Sequence, residues 1–180
     1  GDRFNALSTG MIAALDEALD AIAADPTIRV VVLGATGRAF CAGYDLQDFG
    51  SSLAEHPCQQ EQQPWEPTED YAEMKRYTED FMSLWRSRKP TIAMVHGVAL
   101  AGGSDIAMCC DLLVMADDAK IGYPPARVWG VPTTALWALR IGMEKAKRLL
   151  FTGDCLSGEE AVEAVEVELG HLVLPAEVEI

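Results

Sequence analysis

The sequence predicts an α/β domain with a largely parallel sheet, on three observations. Short apolar runs at residues 28–33 (IRVVVL), 91–96 (TIAMVH) and 112–116 (LLVMA) alternate with segments of helical period, as in a sheet covered by helices. The first run is almost continuously apolar, which suits a strand covered on both faces. Two strand–turn–helix units stand out, Phe40 to Asp45 and Val95 to Asp105, each turning at glycine.

In chain order, a helix is expected from Ser8 to Ala24. Leu7, Met11, Leu15 and Ile22 lie on its inner face, Ile12 and Leu19 widen that face, Ser8 is the N-cap, and Asp25-Pro26 is the stop. The strand at 28–33 follows, then a turn at 34–37. Its spacing is not that of a dinucleotide fingerprint. Ala39-Phe40-Cys41 reads as extended, and residues 42–46 turn into a helical segment. Residues 50–69 hold four glutamines and three prolines and read as a mobile surface loop or lid, or else as an insertion without a role. Tyr71, Met74, Thr78, Phe81 and Trp85 keep a helical period, and such an aromatic stripe usually belongs to a core. Residues 120–132 read as irregular, 133–141 and 144–152 as two helices parted by Gly142, and Ser157 with Glu160 as a capping box.

The 180 residues are 49% hydrophobic, enough for the core of one domain. A net charge of −14 argues against nucleic acid and anionic membrane surfaces, which need basic patches. No apolar run approaches a membrane span, and GDRFNALSTG does not read as a signal peptide. The five cysteines form no CxxC pair and the three histidines no ligand spacing. The reading is of buried, reduced thiols in a cytoplasmic protein without a metal site.

The chemistry centres on residues 89–111, KPTIAMVHGVALAGGSDIAMCCD. Gly102 and Gly103 remove side chains where a helix begins, and Asp105 follows within one turn. A helix N-terminus offers unpaired N–H groups, and glycine lets a ligand oxygen approach them. With a second glycine turn at Gly43, the amides of Tyr44 and Gly102 could aim at one point and form an oxyanion hole. Asp105 would then be the acid/base. Alternatively, the glycines only allow close helix–strand packing and Asp105 is an ordinary first-turn aspartate. A Ser104–His96 dyad can be drawn on paper, but no spacing supports it. Neither a nucleophile elbow nor a P-loop is present.

These residues resemble a known family. Ala39 to Leu46 (AFCAGYDL) is similar to the AFCAGxDL signature of the enoyl-CoA hydratase/isomerase (crotonase) superfamily. Lys89 to Ala93 with His96 to Gly103 resembles its KPxIAxVxGxAxGGG signature, Asn5-Ala6-Leu7 its NAL, and residues 150–153 (LFTG) its LLTG. The resemblance implies a crotonase-like spiral of repeated ββα turns, an acyl-CoA thioester substrate such as a 2-enoyl-CoA, and a homotrimer or dimer of trimers. It implies no metal or redox cofactor, coenzyme A entering only as part of the substrate. The thioester oxygen would lie between the amides of Tyr44 and Gly102. Arg3, Phe4, Ala6, Ala42, Asp45, Leu46, Gly103 and Pro125 fall at substrate-binding positions. Residues 1–165 correspond to the catalytic core, beginning inside its first strand unit, and 166–180 to a poorly matched part of the C-terminal region.

The sequence also departs from the family. Asp105 stands where the first of two glutamates is expected. Pro125 stands where the second is expected, in a QPExxLG-like segment that here reads YPPARVWG. A proline cannot move a proton. The departure puts two-carboxylate hydration in question and leaves double-bond isomerisation or another thioester-enolate reaction with one base, or acyl-CoA binding without catalysis. Tyr123 or Arg127 could add a polar group to the site, or serve the surface or the structure.

Overall fold

The computed structural model describes residues 4–48, 67–128, 130–132, 134–164 and 173–174. Most of the loop expected at 50–69 lies outside these residues, as do Arg3 and Cys58. The last three positions of that loop instead open a helix.

Helix α1 (Thr9–Ala24) begins at Ser8, whose Oγ accepts from the Met11 amide at 3.1 Å. Its buried residue is Ile12, backed by Leu15 and Leu19, whereas Met11 points outward. The wide apolar stripe left the rotation open, and packing against helix α2 (Pro67–Trp85) settles it. Lys89 Nζ donates to the carbonyls of Ile22 and Asp25, a cation at the C-terminal end of α1. In α2, Phe81 and Leu84 are fully buried but Tyr71 is 69% exposed and Trp85 lies at the surface. Among its described side chains, the expected stripe enters the core at Phe81, while Tyr71 and Trp85 stay at the surface.

Strands β1 (Val31–Leu33), β2 (Thr91–Val95), β4 (Leu112–Ala116) and β7 (Val173–Leu174) form one sheet, parallel throughout and in the order β1-β2-β4-β7. Only three residues of the 28–33 run are strand. Val32 and Leu112, which share a register row with Ile92, are 58% and 57% exposed. The continuous apolar run is thus covered on one face only among the described residues.

The second sheet was not legible in the sequence. Strand β3 (Val98–Leu100) runs parallel to β5 (Lys120–Gly122), which pairs antiparallel with β6 (Cys155–Ser157). Residues 97–101 are therefore more than a turn: Gly97, at φ 60°, bends the chain from β2 straight into β3. A Cβ there would sit 2.1 Å from the Arg38 carbonyl, so only glycine admits the 38–41 segment alongside. Each spiral turn gives one strand to each sheet and then a helix: β2, β3 and helix α3 (Gly102–Cys109), then β4, β5 and a 3-10 turn (Pro124–Arg127) leading to helix α4 (Leu136–Ile141) and helix α5 (Met143–Thr152). After β6 comes helix α6 (Gly158–Ala164). Its expected capping box is made reciprocally, Ser157 N to Glu160 Oε2 at 2.8 Å and Glu160 N to Ser157 Oγ at 3.1 Å.

Candidate active site

The two glycine turns meet. Residues 4–7 lie along residues 42–45: Ala42 N donates to Phe4 O (3.0 Å), Leu7 N to Gly43 O (2.7 Å) and Asp45 N to Leu7 O (2.8 Å). Cys41 pairs with Ala99 of β3, donating to Val98 O (3.0 Å) and accepting from Leu100 N (2.9 Å). Gly43 has φ 105°, and a Cβ on it would lie 2.9 Å from Ala101 Cβ and 3.7 Å from Gly102 N. The Tyr44 ring flanks Gly102, 3.2 Å from where a Cβ would be. Gly103 packs on Cys41 so closely that a Cβ would stand 2.5 Å from its carbonyl oxygen. Phe4, Ala6, Ala42, Tyr44, Asp45, Gly102 and Gly103 are thus brought to one seam. Phe4 is exposed there, with the Arg38 guanidinium 4.5 Å from its ring centre, and Leu46 is exposed beyond it.

Behind the seam stands α3. Ala101 precedes it at φ 51°, a strained value for a residue with a Cβ. Its carbonyl accepts from Ser104 Oγ (2.6 Å) and Asp105 N (3.0 Å), which fixes the turn. The Ser104 hydroxyl is therefore engaged with the Ala101 carbonyl, while His96 Nε2 meets Gly37 O at 2.9 Å, so the two form no dyad. Asp105 is 1% exposed, and neither carboxylate oxygen has a hydrogen-bond partner among the described residues. Burial pushes its pKa up to about 7. Burial also pushes Cys109 up to about 12 and Cys110 to about 11, so both are thiols at neutral pH.

The Tyr123 phenol lies near this carboxylate: burial first, then the charge of Asp105, raise its pKa. Its hydroxyl donates to Val131 O at 3.0 Å. Pro125 sits in the 3-10 turn, packed with Tyr123 against Gly130, where a Cβ would come within 2.7 Å of Pro125 Cβ. Arg127 turns away and binds Thr152 O (2.8 Å) and Asp154 Oδ1 (2.7 Å), holding the 3-10 turn to the end of α5. Of the two guessed polar groups, then, Tyr123 approaches Asp105 and Arg127 serves the structure. Sequence reasoning passed over Thr134 and Trp137, whose buried Oγ1 and Nε1 also lack partners among the described residues. An aromatic residue in an apolar helix carries no signal that would single it out.

A family model described as enoyl-CoA hydratase/isomerase matches residues 2–168. A crystal structure of an enoyl-CoA hydratase from Mycobacterium smegmatis is 41% identical, superposes with a TM-score of 0.81, and covers 91% of this chain and 57% of its own. One from Bacillus anthracis is 26% identical with a TM-score of 0.79, covering 97% and 63%. A curated relative from Thermus thermophilus, provisionally named an enoyl-CoA hydratase, is 35% identical over 162 residues, 89% of this chain and 60% of its own length. The chain thus spans about three-fifths of the relatives it matches. The match over most of the chain, on the same fold and through both glycine turns, places it in the enoyl-CoA hydratase/isomerase (crotonase) family.

Proposed function

We propose that this chain carries the acyl-CoA site of an enzyme that forms a thioester enolate, with Asp105 as acid/base and the amides of Tyr44 and Gly102 as the oxyanion hole. One observation carries the reading: a buried carboxylate with no hydrogen-bond partner among the described residues and a pKa of about 7, one turn from a glycine amide that faces a second glycine turn. At that pKa the group is part acid and part base at neutral pH, as proton transfer in both directions requires. Asp105 takes the α-proton, the thioester oxygen gathers the charge against two N–H donors, and Asp105 returns the proton to the γ-carbon. Overall this is a double-bond isomerisation. It moves only a proton and needs no redox group. Hydration of a 2-enoyl-CoA would also require a group to handle water where Pro125 stands.

Pro125 supports a second reading, an acyl-CoA-binding relative without turnover. A panel of enoyl-CoA thioesters, with hydration and isomerisation followed separately, decides between the two. Asp105→Asn is expected to lower turnover about 100-fold or more while acyl-CoA still binds. Unchanged turnover in that variant would remove Asp105 from the chemistry, and tight binding with no turnover of any thioester by the native protein would favour the second reading. A complex with an acyl-CoA is expected to put the thioester oxygen about 3 Å from both amides. We also propose a homotrimer or a pair of trimers in the cytoplasm. Thiols kept at Cys109 and Cys110 suit a reducing compartment, and light scattering would measure the assembly.

A further inference from the structure

Residue 101 is an alanine where the backbone suits glycine. Its φ of 51° and ψ of −123° lie outside the regions open to a residue with a Cβ, and glycine would adopt them without strain. Hydrogen bonds hold it there. Ala101 N donates to Gly122 O of β5 at 3.1 Å, and the Ala101 carbonyl accepts from Ser104 Oγ (2.6 Å) and Asp105 N (3.0 Å). Strain that persists under such restraint points to function. What the strain retains is one buried methyl group.

That methyl stands between two peptides. In a trans peptide the N–H points opposite to the C=O. The Ala101 carbonyl is turned into the first turn of α3, so the Gly102 N–H points away from the helix. The Gly43 carbonyl accepts from Leu7 N at 2.7 Å, so the Tyr44 N–H points away from residue 7. The direction of each N–H is thus set within its own peptide, and the separation of the two is set where the turns touch. There the atom nearest to a Cβ position on Gly43 is the Ala101 methyl at 2.9 Å, ahead of Leu100 O at 3.1 Å and Gly102 N at 3.7 Å. Gly43 has no side chain, so the methyl rests on its backbone. We infer that the Ala101 methyl is the spacer that sets the distance between the Tyr44 and Gly102 amides, which makes Ala101 a positioning residue. The inference rests on the enolate reading above and adds to it a residue that acts through the two donors rather than on the substrate.

Ala101→Gly removes the spacer, relieves the backbone and keeps both amides. Infrared spectroscopy of butyryl-CoA isotope-labelled at the thioester carbonyl reads the hole without any need for turnover, because N–H donors on the oxygen lower its stretching frequency. The native protein is expected to lower the band relative to the free ligand. Ala101→Gly is expected to lose most of that shift, with its melting temperature kept or raised. An unchanged shift in the variant overturns the inference. A lost shift together with a lower melting temperature also overturns it, by reducing the methyl to packing. Native protein that binds butyryl-CoA without any shift overturns the oxyanion hole itself. Native protein that does not bind it overturns the acyl-CoA reading, and this inference falls with either.

Discussion

Asp105 stands in a position that costs stability and suits proton transfer. Its unfolded pKa is near 3.8 and its folded pKa about 7. Below about pH 4 it is neutral in both states. Above that the unfolded chain ionises first, so folding stability falls as pH rises and levels off beyond about pH 7. A shift of that size corresponds to a few kcal/mol. Asp105→Asn lacks this loss, so its stability advantage over the native protein is expected to grow between pH 4 and 7 in unfolding curves taken across that range. A flat difference would mean that the carboxylate is solvated or paired. Gly103 is the other residue with a sharp expectation. A Cβ there would meet Cys41 O, Cβ and Sγ at 2.5, 2.7 and 2.8 Å, and backbone yields little. Gly103→Ala is expected to cost about 1–3 kcal/mol in urea unfolding and to spread the two glycine turns apart.

At the level of elements, α3 is held at both ends. Its first turn is set by the bonds onto Ala101 O, and its last by Arg140. The Asp111 carboxylate ties the chain beyond α3 to the start of β2, accepting from Thr91 N (2.8 Å) and Thr91 Oγ1 (3.0 Å), while Asp111 N donates to Thr91 Oγ1 (2.9 Å). Arg140 is partly desolvated, which lowers its pKa, and its fork serves two carbonyls. Arg140→Ala is expected to destabilise by about 1–3 kcal/mol. Arg140→Lys should recover only part of that, because an ammonium cannot reproduce the planar fork. Chemical denaturation of the two variants would measure both losses, and full recovery by lysine would reduce the contact to simple charge.

Across the whole molecule, the net charge of −14 argues against a polyanionic partner such as nucleic acid. Among the described residues no helix is long and apolar enough to cross a membrane, and no group of three acidic, histidine or cysteine side chains is placed to hold a metal. A ligand at 100 times its dissociation constant adds about 2.7 kcal/mol to stability. For a chain of this size, butyryl-CoA at that level is expected to raise the melting temperature by roughly 5–10 °C. Free nucleic acid at the same concentration should leave it unchanged. A scan without any shift from butyryl-CoA would contradict the acyl-CoA reading.

By itself the sequence determined the alternation of strands and helices, the Ser8 and Ser157 caps, and the two glycine turns. Each of these rests on local rules: period, capping chemistry, and backbone that only glycine can adopt. Asp105 was legible as a candidate because its spacing from Gly102 and Gly103 is local too. Only the tertiary structure decided the rest. Three-residue strands such as β3 and β6 are too short to carry a period and exist only through partners 20 to 60 residues away. The raised pKa of Asp105 comes from elements that close over it from distant parts of the chain. The approach of Tyr123 and the pairing of Arg140 with the end of α3 come from the spiral, which folds residues 120–140 back along residues 101–111.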